Sequence, residues 1–352
     1  MWWNTLITRL REWGRKSAPT VQGDLVKAFR FARSSPWLPG ALISFGVALV
    51  IAFSVDWKAL EPILARPAWW LLVGAIFFYF NATACRALIL PALTSEQVGY
   101  SQSLFTQNEG ALVNILLPLR LGDHGQAFLL ARRQGLDEYE IRSAIRVERF
   151  FDAFIVVGLL IASLLISNVD KSLKLVLLGI LLLMVIFLFS IPRLAQPSDR
   201  LTVFSKWFAE SFSWVGPNFQ PKALSFFTGL SVLSDPAVLG TSLLWSALAW
   251  AFRITGLFTL IKGVAPVAPF GFGVFVAGVL AISTRLPSAP AALGVYEGVI
   301  ILALFLVGVD PTTAFACALI SHFIDILLPL IVGGAVFILE VPSLSGLYKQ
   351  LT

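Results

Sequence analysis

Residues 114–133 read NILLPLRLGDHGQAFLLARR. Pro118 and Gly122 interrupt any helix through this apolar stretch, and Asp123 and His124 follow at the start of a new helix, residues 123–133. Broken backbone at membrane depth survives only where protein or water satisfies its amides and carbonyls. The stretch therefore predicts a helical membrane protein with broken or re-entrant segments. A freed helix N-terminus attracts phosphate or carboxylate, and Arg120 adds positive charge beside it. An ordinary cytoplasmic loop rich in arginine reads the same way.

Composition agrees with the membrane reading. The 352 residues are 57% hydrophobic and 13% charged, with a mean hydropathy of +0.83. Soluble domains run about 45–50% apolar and about 25% charged. Apolar segments long enough to cross a bilayer occur at about 37–55, 67–92, 150–168, 173–191, 236–261 and 316–340. Two more, about 270–285 and 290–308, are short or interrupted by Gly and Pro, and 111–118 is too short to span. The expectation is an all-α polytopic protein of six to eight spanning helices.

Charge placement orders the chain. Residues 1–36 carry seven Lys and Arg against Glu12 and Asp24, with Trp3, Leu6, Ile7, Leu10 and Trp13 at helical spacing. They read as a basic amphipathic segment on a membrane surface, or as a disordered basic leader. The excess of basic residues there, in 120–149 and in an amphipathic linker at 192–222 predicts a cytoplasmic N-terminus. A single membrane domain fills 37–340, with halves at about 37–191 and 223–340, and 341–352 form a tail. Basic residues between apolar blocks do not make the folded polar face of a nucleic-acid binder. Cys85 and Cys317, both in apolar stretches, offer neither a disulfide framework nor a metal cluster. His124 and His322 lack metal-ligand spacing, and no phosphate-binding glycine loop is present. No metal or cofactor is expected.

The chain repeats itself. GLDEYEIRSAIRVERFFD (135–152) aligns with GVDPTTAFACALISHFID (308–325) at a constant offset of 173, matching Gly135 with Gly308, Asp137 with Asp310, Phe150 with Phe323 and Asp152 with Asp325. Arg149 meets His322 at the same offset. A proline-containing turn precedes each block, and each half holds an apolar span with one arginine, Arg86 or Arg253. Paired broken segments point to a transporter-like site near the bilayer midplane. The pattern leaves parallel and inverted halves equally open.

Candidate site residues follow from charges inside apolar segments, which are costly and usually paired. Arg142, Arg146 and Arg149 lie at i, i+4 and i+7 on one helix, with Asp152 placed to pair with Arg149. This stripe suits an anionic headgroup, or simply snorkels to the interface. In the second half Arg253, Arg285, Glu297, His322 and Asp325 lie in or beside apolar segments. Glu297 reads either as a proton-coupling group or as the partner of Arg253 or Arg285.

Three runs together, LLPLRLGDHGQAFLLARR, VERFFDAF and LPSAPAALGVYEGVIILALFLVGVD, resemble the transmembrane region of lysylphosphatidylglycerol synthases over roughly residues 40–340. Stand-alone relatives of that region are described as flippase-like proteins of the bacterial and archaeal inner membrane. The resemblance carries Pro118, Gly122, Asp123, Glu148, Arg149, Asp152, Pro287, Pro290, Gly294 and Glu297 over as family positions. The family usually has Glu at Asp123 and Arg at Gln126, and its usual Pro-Gly-Gly turn reads Pro290-Ala291-Ala292 here. The loss of a cation at Gln126 puts phosphate contact there in question. The resemblance implies translocation of a lipid with a bulky headgroup in a prokaryotic plasma membrane. The synthases' catalytic domain would follow the membrane region, and this chain ends twelve residues past the last apolar span, so aminoacyl transfer is not expected of it.

The resulting expectation is a lipid translocase for an anionic or phosphate-linked headgroup. Arg120, Arg146, Arg149 and the helix end at Asp123 would hold the phosphate, and Asp152, Arg253, Glu297, His322 and Asp325 would complete the polar passage. Pro118, Gly122, Pro287, Pro290 and Gly294 would form its turns. Two alternatives stand beside it. One is a membrane-embedded transferase using Asp123 or Glu297 as base. The other is a non-transporting partner of a lipid-modifying enzyme or glycosyltransferase.

Overall fold

A computed structural model describes residues 38–65, 69–117, 121–166, 171–194, 206, 231–283 and 288–334. The basic segment 1–36, Pro118, Arg120, Arg285, Pro287, most of the linker and the tail 341–352 lie outside the described residues.

Every regular element among the described residues is helical. α1 (Leu38–Ser54) turns through 90° into α2 (Trp57–Ala65). Asp56 makes the corner: its carboxylate accepts from the amides of Lys58 and Ala59, and its own amide donates to Thr312 Oγ1 at 3.0 Å. α3 (Trp69–Arg86) and the short α4 (Ile89–Leu93) continue one apolar run. α5 (Tyr100–Leu116) and α6 (Gly122–Gln134) lie against each other on either side of the proline break. α7 (Glu138–Ile166) and α8 (Lys171–Leu194) complete the first half. The second contains α9 (Pro236–Val264), α10 (Phe270–Ser283), α11 (Val295–Leu306) and α12 (Pro311–Val332).

The all-α polytopic expectation holds, with shorter apolar helices at Phe270–Ser283 and Pro290–Leu306 beside the long ones. Four helices among the described residues are long and apolar enough to cross a membrane, and five if the bent α1–α2 pair is one span. α1 is only 17 residues long before its corner. α7, at 29 residues, is about 44 Å long, but its first half carries Arg142, Arg146, Glu148, Arg149 and Asp152. Its second half, residues 153–166, carries no charge.

Small residues set the helix contacts. Gly74 faces Thr259, Gly263 faces Leu71, and Gly256 lies under the Tyr79 ring, so α3 and α9 run antiparallel in close contact. Gly110 and Gly122 bring α5 and α6 together so tightly that a methyl on either would strike the other's carbonyl. The Gly122 amide donates to Asn114 Oδ1 at 2.7 Å, closing the break within the protein. Packing also crosses between the halves. Gly278 of α10 lies on Leu160 of α7, and Gly333, just past α12, lies on Asn108 and Glu109 of α5.

The core centres on α3, α9, α10, α11 and α12, around Tyr79, Leu257, Ile261, Ile300 and Leu304. Side chains such as Leu182, Leu183 and Phe187 on α8, and Phe45 and Phe53 on α1, are exposed. That is the expected dress of lipid-facing helices, where hydrocarbon replaces water as the neighbour.

Repeated Gly135/Gly308 and Asp137/Asp310 prove to be turn chemistry. Both glycines adopt positive φ (65° and 89°). Two residues later each aspartate caps a helix: Asp137 accepts from the Tyr139 amide at 2.6 Å, and Asp310 accepts from the Thr313 amide at 2.9 Å.

Replacing Gly122 with alanine is expected to destabilise the purified protein by about 1–3 kcal/mol. A thermal melt in detergent would read this as a lowered midpoint, and an unchanged midpoint would contradict the tight α5–α6 contact.

Candidate functional site

Three elements from the first half and three from the second bring ionisable groups to the centre. Arg86 stands at the C-terminal end of α3. Its Nε contacts Glu148 Oε1 at 2.7 Å, and its terminal nitrogens hold both oxygens of Asp152. Arg149, on α7, donates from Nε and Nη2 to Asp123 of α6 (3.0 and 2.6 Å), and from Nη1 to Asp152 at 3.2 Å. Trp250 Nε1 of α9 adds a hydrogen bond to Asp152 at 3.0 Å. Asp152 thus joins two arginines and the second half.

In the second half Arg253 grips Asp325 with both terminal nitrogens, at 2.5 and 2.6 Å, and lies 4.4 Å over the Tyr79 ring. Tyr296 donates its hydroxyl to Asp325 Oδ2 at 2.7 Å, and Ser321 links the Tyr79 and Tyr296 hydroxyls. The Tyr296 ring stacks on His322 with centroids 4.2 Å apart. His322 Nδ1 lies 2.6 Å from Glu297 Oε1, and its Nε2 lies 2.8 Å from the Ala291 carbonyl. Glu297 Oε2 accepts from the Gly294 amide at 2.8 Å.

These clusters border one interior space. A cavity of about 790 Å³ is lined by Arg86, Asp123, Arg149, Asp152, Trp250 and Arg253 among others. A neighbour of about 230 Å³ shares Arg86, Asp123, Arg149 and Arg253 with it and reaches Asp325. A third, about 260 Å³, touches Tyr296, His322, Asp325 and Ala291. Asn114 lines all three.

The structure therefore brings together Asp123, Arg149, Asp152, Arg253 and Asp325, with Glu297 and His322 adjoining. Arg146 lines none of these cavities. The expected stripe divides: Arg142 pairs with Glu138 near the start of α7, whereas Arg149 turns inward. Glu297 pairs with His322 and not with Arg253, whose carboxylate partner is Asp325. The end of α6 is less open to an anion than its sequence implied, since Asn114 takes the Gly122 amide and Asp123 sits in the first turn. Gln126, where the family has a cation, is buried in α6.

Sequence reasoning left Arg86, Glu148, Asn114, Tyr79, Trp250 and Tyr296 out of the binding set. Arg86 carried a usable signal, one arginine in an apolar span matched by Arg253. Asn114 lay in the decisive stretch itself. For the aromatic residues there was none, because aromatic side chains are ordinary in such segments.

The profile of the lysylphosphatidylglycerol synthase TM region matches residues 37–333. The chain belongs to this family. No curated protein and no solved structure matches it. Membership fits a membrane protein with a lipid-related role, and the polar interior described above lies wholly within the matched region.

The turn before α11 carries a backbone cost. Ala291 and Ala292 both adopt left-handed φ, 55° and 56°. That backbone costs an L-residue about 1–2 kcal/mol. Glycine at either position is expected to stabilise the protein by about 0.5–1 kcal/mol net, because glycine loses more unfolded-state entropy. The midpoint of thermal unfolding should rise for each variant.

Removing one partner of an interior ion pair should show the opposite sign. Arg253→Met leaves Asp325 without its guanidinium at a cost of about 3 kcal/mol, and adding Asp325→Leu should recover most of it. A double-mutant cycle on unfolding midpoints measures both.

Proposed function

We propose that this protein moves a phosphate-linked lipid headgroup between the leaflets of a prokaryotic plasma membrane, its tails remaining in the bilayer. One observation carries the reading. Arg86, Arg149 and Arg253 line a single cavity of about 790 Å³ inside an otherwise apolar chain. Family membership supports it at the level of a lipid-related membrane role.

The chemistry is exchange. Guanidinium groups bind phosphate in the same two-pronged geometry as carboxylate. Here each arginine is already occupied, and Asp123, Glu148, Asp152 and Asp325 outnumber the three cations. A headgroup phosphate must therefore displace a carboxylate. Arg149 is the best-placed exchanger, because its partner Asp123 is 43% exposed and rides on the helix that follows the break. A balanced cluster holds a headgroup weakly enough to release it on the other side, which a bare cationic trap would not.

We infer further that the two halves form an inverted repeat. The pair Arg149–Asp123 recurs as His322–Glu297 at offsets of 173 and 174. Arg86–Asp152 recurs as Arg253–Asp325. The contact of Leu160 with Gly278 recurs as that of Gly333 with Asn108. α3 and α9, the corresponding arginine helices, run antiparallel, as inverted halves require. Rocking one half against the other would then open the shared cavity to each leaflet in turn. The excess of Lys and Arg in residues 1–36 supports a cytoplasmic N-terminus. A transferase is the weaker reading, since its candidate bases, Asp123 and Glu297, are each held by a cationic or imidazole partner.

The test is transbilayer movement of a fluorescent phospholipid in proteoliposomes. The protein should accelerate it, and Arg149→Gln should slow it at least about tenfold, the equivalent of one lost charge-assisted contact. Equal rates with and without protein would defeat the proposal. A new lipid species on mass analysis would favour the transferase instead.

A further inference from the structure

We propose that His322 and Glu297 form a proton-binding site that couples lipid movement to a proton gradient. The inference rests on the translocation reading for its transport consequence, and on hydrogen-bond geometry alone for the proton.

His322 Nε2 lies 2.8 Å from the carbonyl of Ala291, which can only accept, so Nε2 carries a hydrogen. Nδ1 lies 2.6 Å from Glu297 Oε1. With Nε2 protonated, a neutral imidazole presents a lone pair at Nδ1. A carboxylate oxygen presents another, and two lone pairs at that separation repel. The other carboxylate oxygen already accepts from the Gly294 amide at 2.8 Å. One proton must therefore lie between Nδ1 and Oε1. Whether it belongs to imidazolium or to carboxylic acid, the pair holds one proton more than a neutral histidine beside a carboxylate, and its net charge is zero.

The same pair clamps a turn. Imidazole Nε2 holds the Ala291 carbonyl and the glutamate holds the Gly294 amide, so both ends of the segment from Ala291 to Gly294 are fixed by one protonated unit. Between them lie the left-handed Ala291 and Ala292. Loss of the proton to water leaves a net charge of minus one, sets Nδ1 and Oε1 against each other and loosens the clamp on a strained turn. This turn separates α10 from α11 and borders the cavity of about 260 Å³, which gives the proton a route.

Among the described residues, several elements bring groups toward the pair. α11 contributes Glu297 and Tyr296, α12 itself Asp325, α9 Arg253 and α3 Tyr79, the last four joined by ion pairing or by hydroxyl bonds through Ser321. α5 presents Asn114 to the cavity, and its Glu109 is held by Arg133 at 2.7 and 2.8 Å. α2 offers Leu60, Ile63 and Leu64. In the other half the corresponding pair is Arg149–Asp123, whose guanidinium keeps its proton at any physiological pH. One half thus carries a fixed charge and the other an exchangeable one.

Proteoliposomes bearing the full chain, a fluorescent phospholipid and an imposed pH difference test the coupling. If one proton moves with one lipid, a pH difference of one unit should shift the leaflet ratio up to about tenfold. The double variant His322→Gln, Glu297→Gln should lose the dependence of the leaflet ratio on the pH difference, whereas Arg149→Gln should slow the approach to the same ratio. Fast lipid movement whose final ratio ignores the gradient would overturn the coupling while leaving translocation intact. Infrared difference spectra of the purified protein between acidic and alkaline buffer read the proton without any transport. A Glu297 carboxyl or His322 imidazolium signal that disappears in the double variant is expected, and its absence from the wild type would overturn the proton site whatever the lipid does.

Discussion

A charge surrounded by hydrocarbon has to find an opposite charge or a strong hydrogen-bond partner within reach, or the segment that carries it will not stay in the membrane. Asp152 is where this constraint is met for most of the interior. It accepts from Arg86, Arg149 and the Trp250 indole, so one carboxylate ties α3, α7 and α9 together. The helices around it could pack on van der Waals contact alone. What fixes their rotation is the need to aim these particular side chains at one another, since a helix turned by one residue would put a guanidinium into lipid. Buried ion pairs are poor sources of net stability, and specificity of arrangement is the better account of why they are here.

The same constraint explains the breaks. A helix that stops inside the bilayer exposes unsatisfied amides and carbonyls. At the first break Asn114 supplies the acceptor for Gly122, and two glycines let α5 and α6 approach closely enough for that contact. At the second, Ser44 of α1 accepts from the Ala289 amide at 2.9 Å, while Glu297 and His322 hold Gly294 and Ala291. Asn114 at the first break and His322 at the second also line the cavities, so opening either turn alters the site.

Much of this was legible in the residues. Hydropathy gave the membrane class, the proline breaks were placed by Pro118 and Pro290, and scarce aspartates marked Asp152 and Asp325 as interior. The repeated Gly and Asp at 135–137 and 308–310 marked the repeat and are turn and cap residues, a role sequence identity alone does not reveal. Hydropathy alone did not show the 90° corner that follows α1. Partner choice was the least legible. Glu297 could have met Arg253, but only the packing of α11 against α12 brings His322 to it and leaves Arg253 with Asp325. Arg146, one turn from Arg149, points elsewhere for the same reason: which side of α7 meets the interior is decided by α10 and α6, not by α7.

The difference between the halves is where mechanism enters. If the halves form the inverted repeat proposed above, each with its arginine–aspartate pair, they would have no preferred direction were their second pairs also alike. They are not: arginine faces aspartate in one, histidine faces glutamate in the other. The first pair can change only by exchanging its carboxylate for another anion. The second can change by losing a proton, with no exchange of partner. The histidine pair also holds a turn whose two left-handed alanines favour release. Substituting glycine there would relax the turn and lower the drive to open once the proton leaves. On this account the two left-handed alanines act as a spring set against the proton-held clamp.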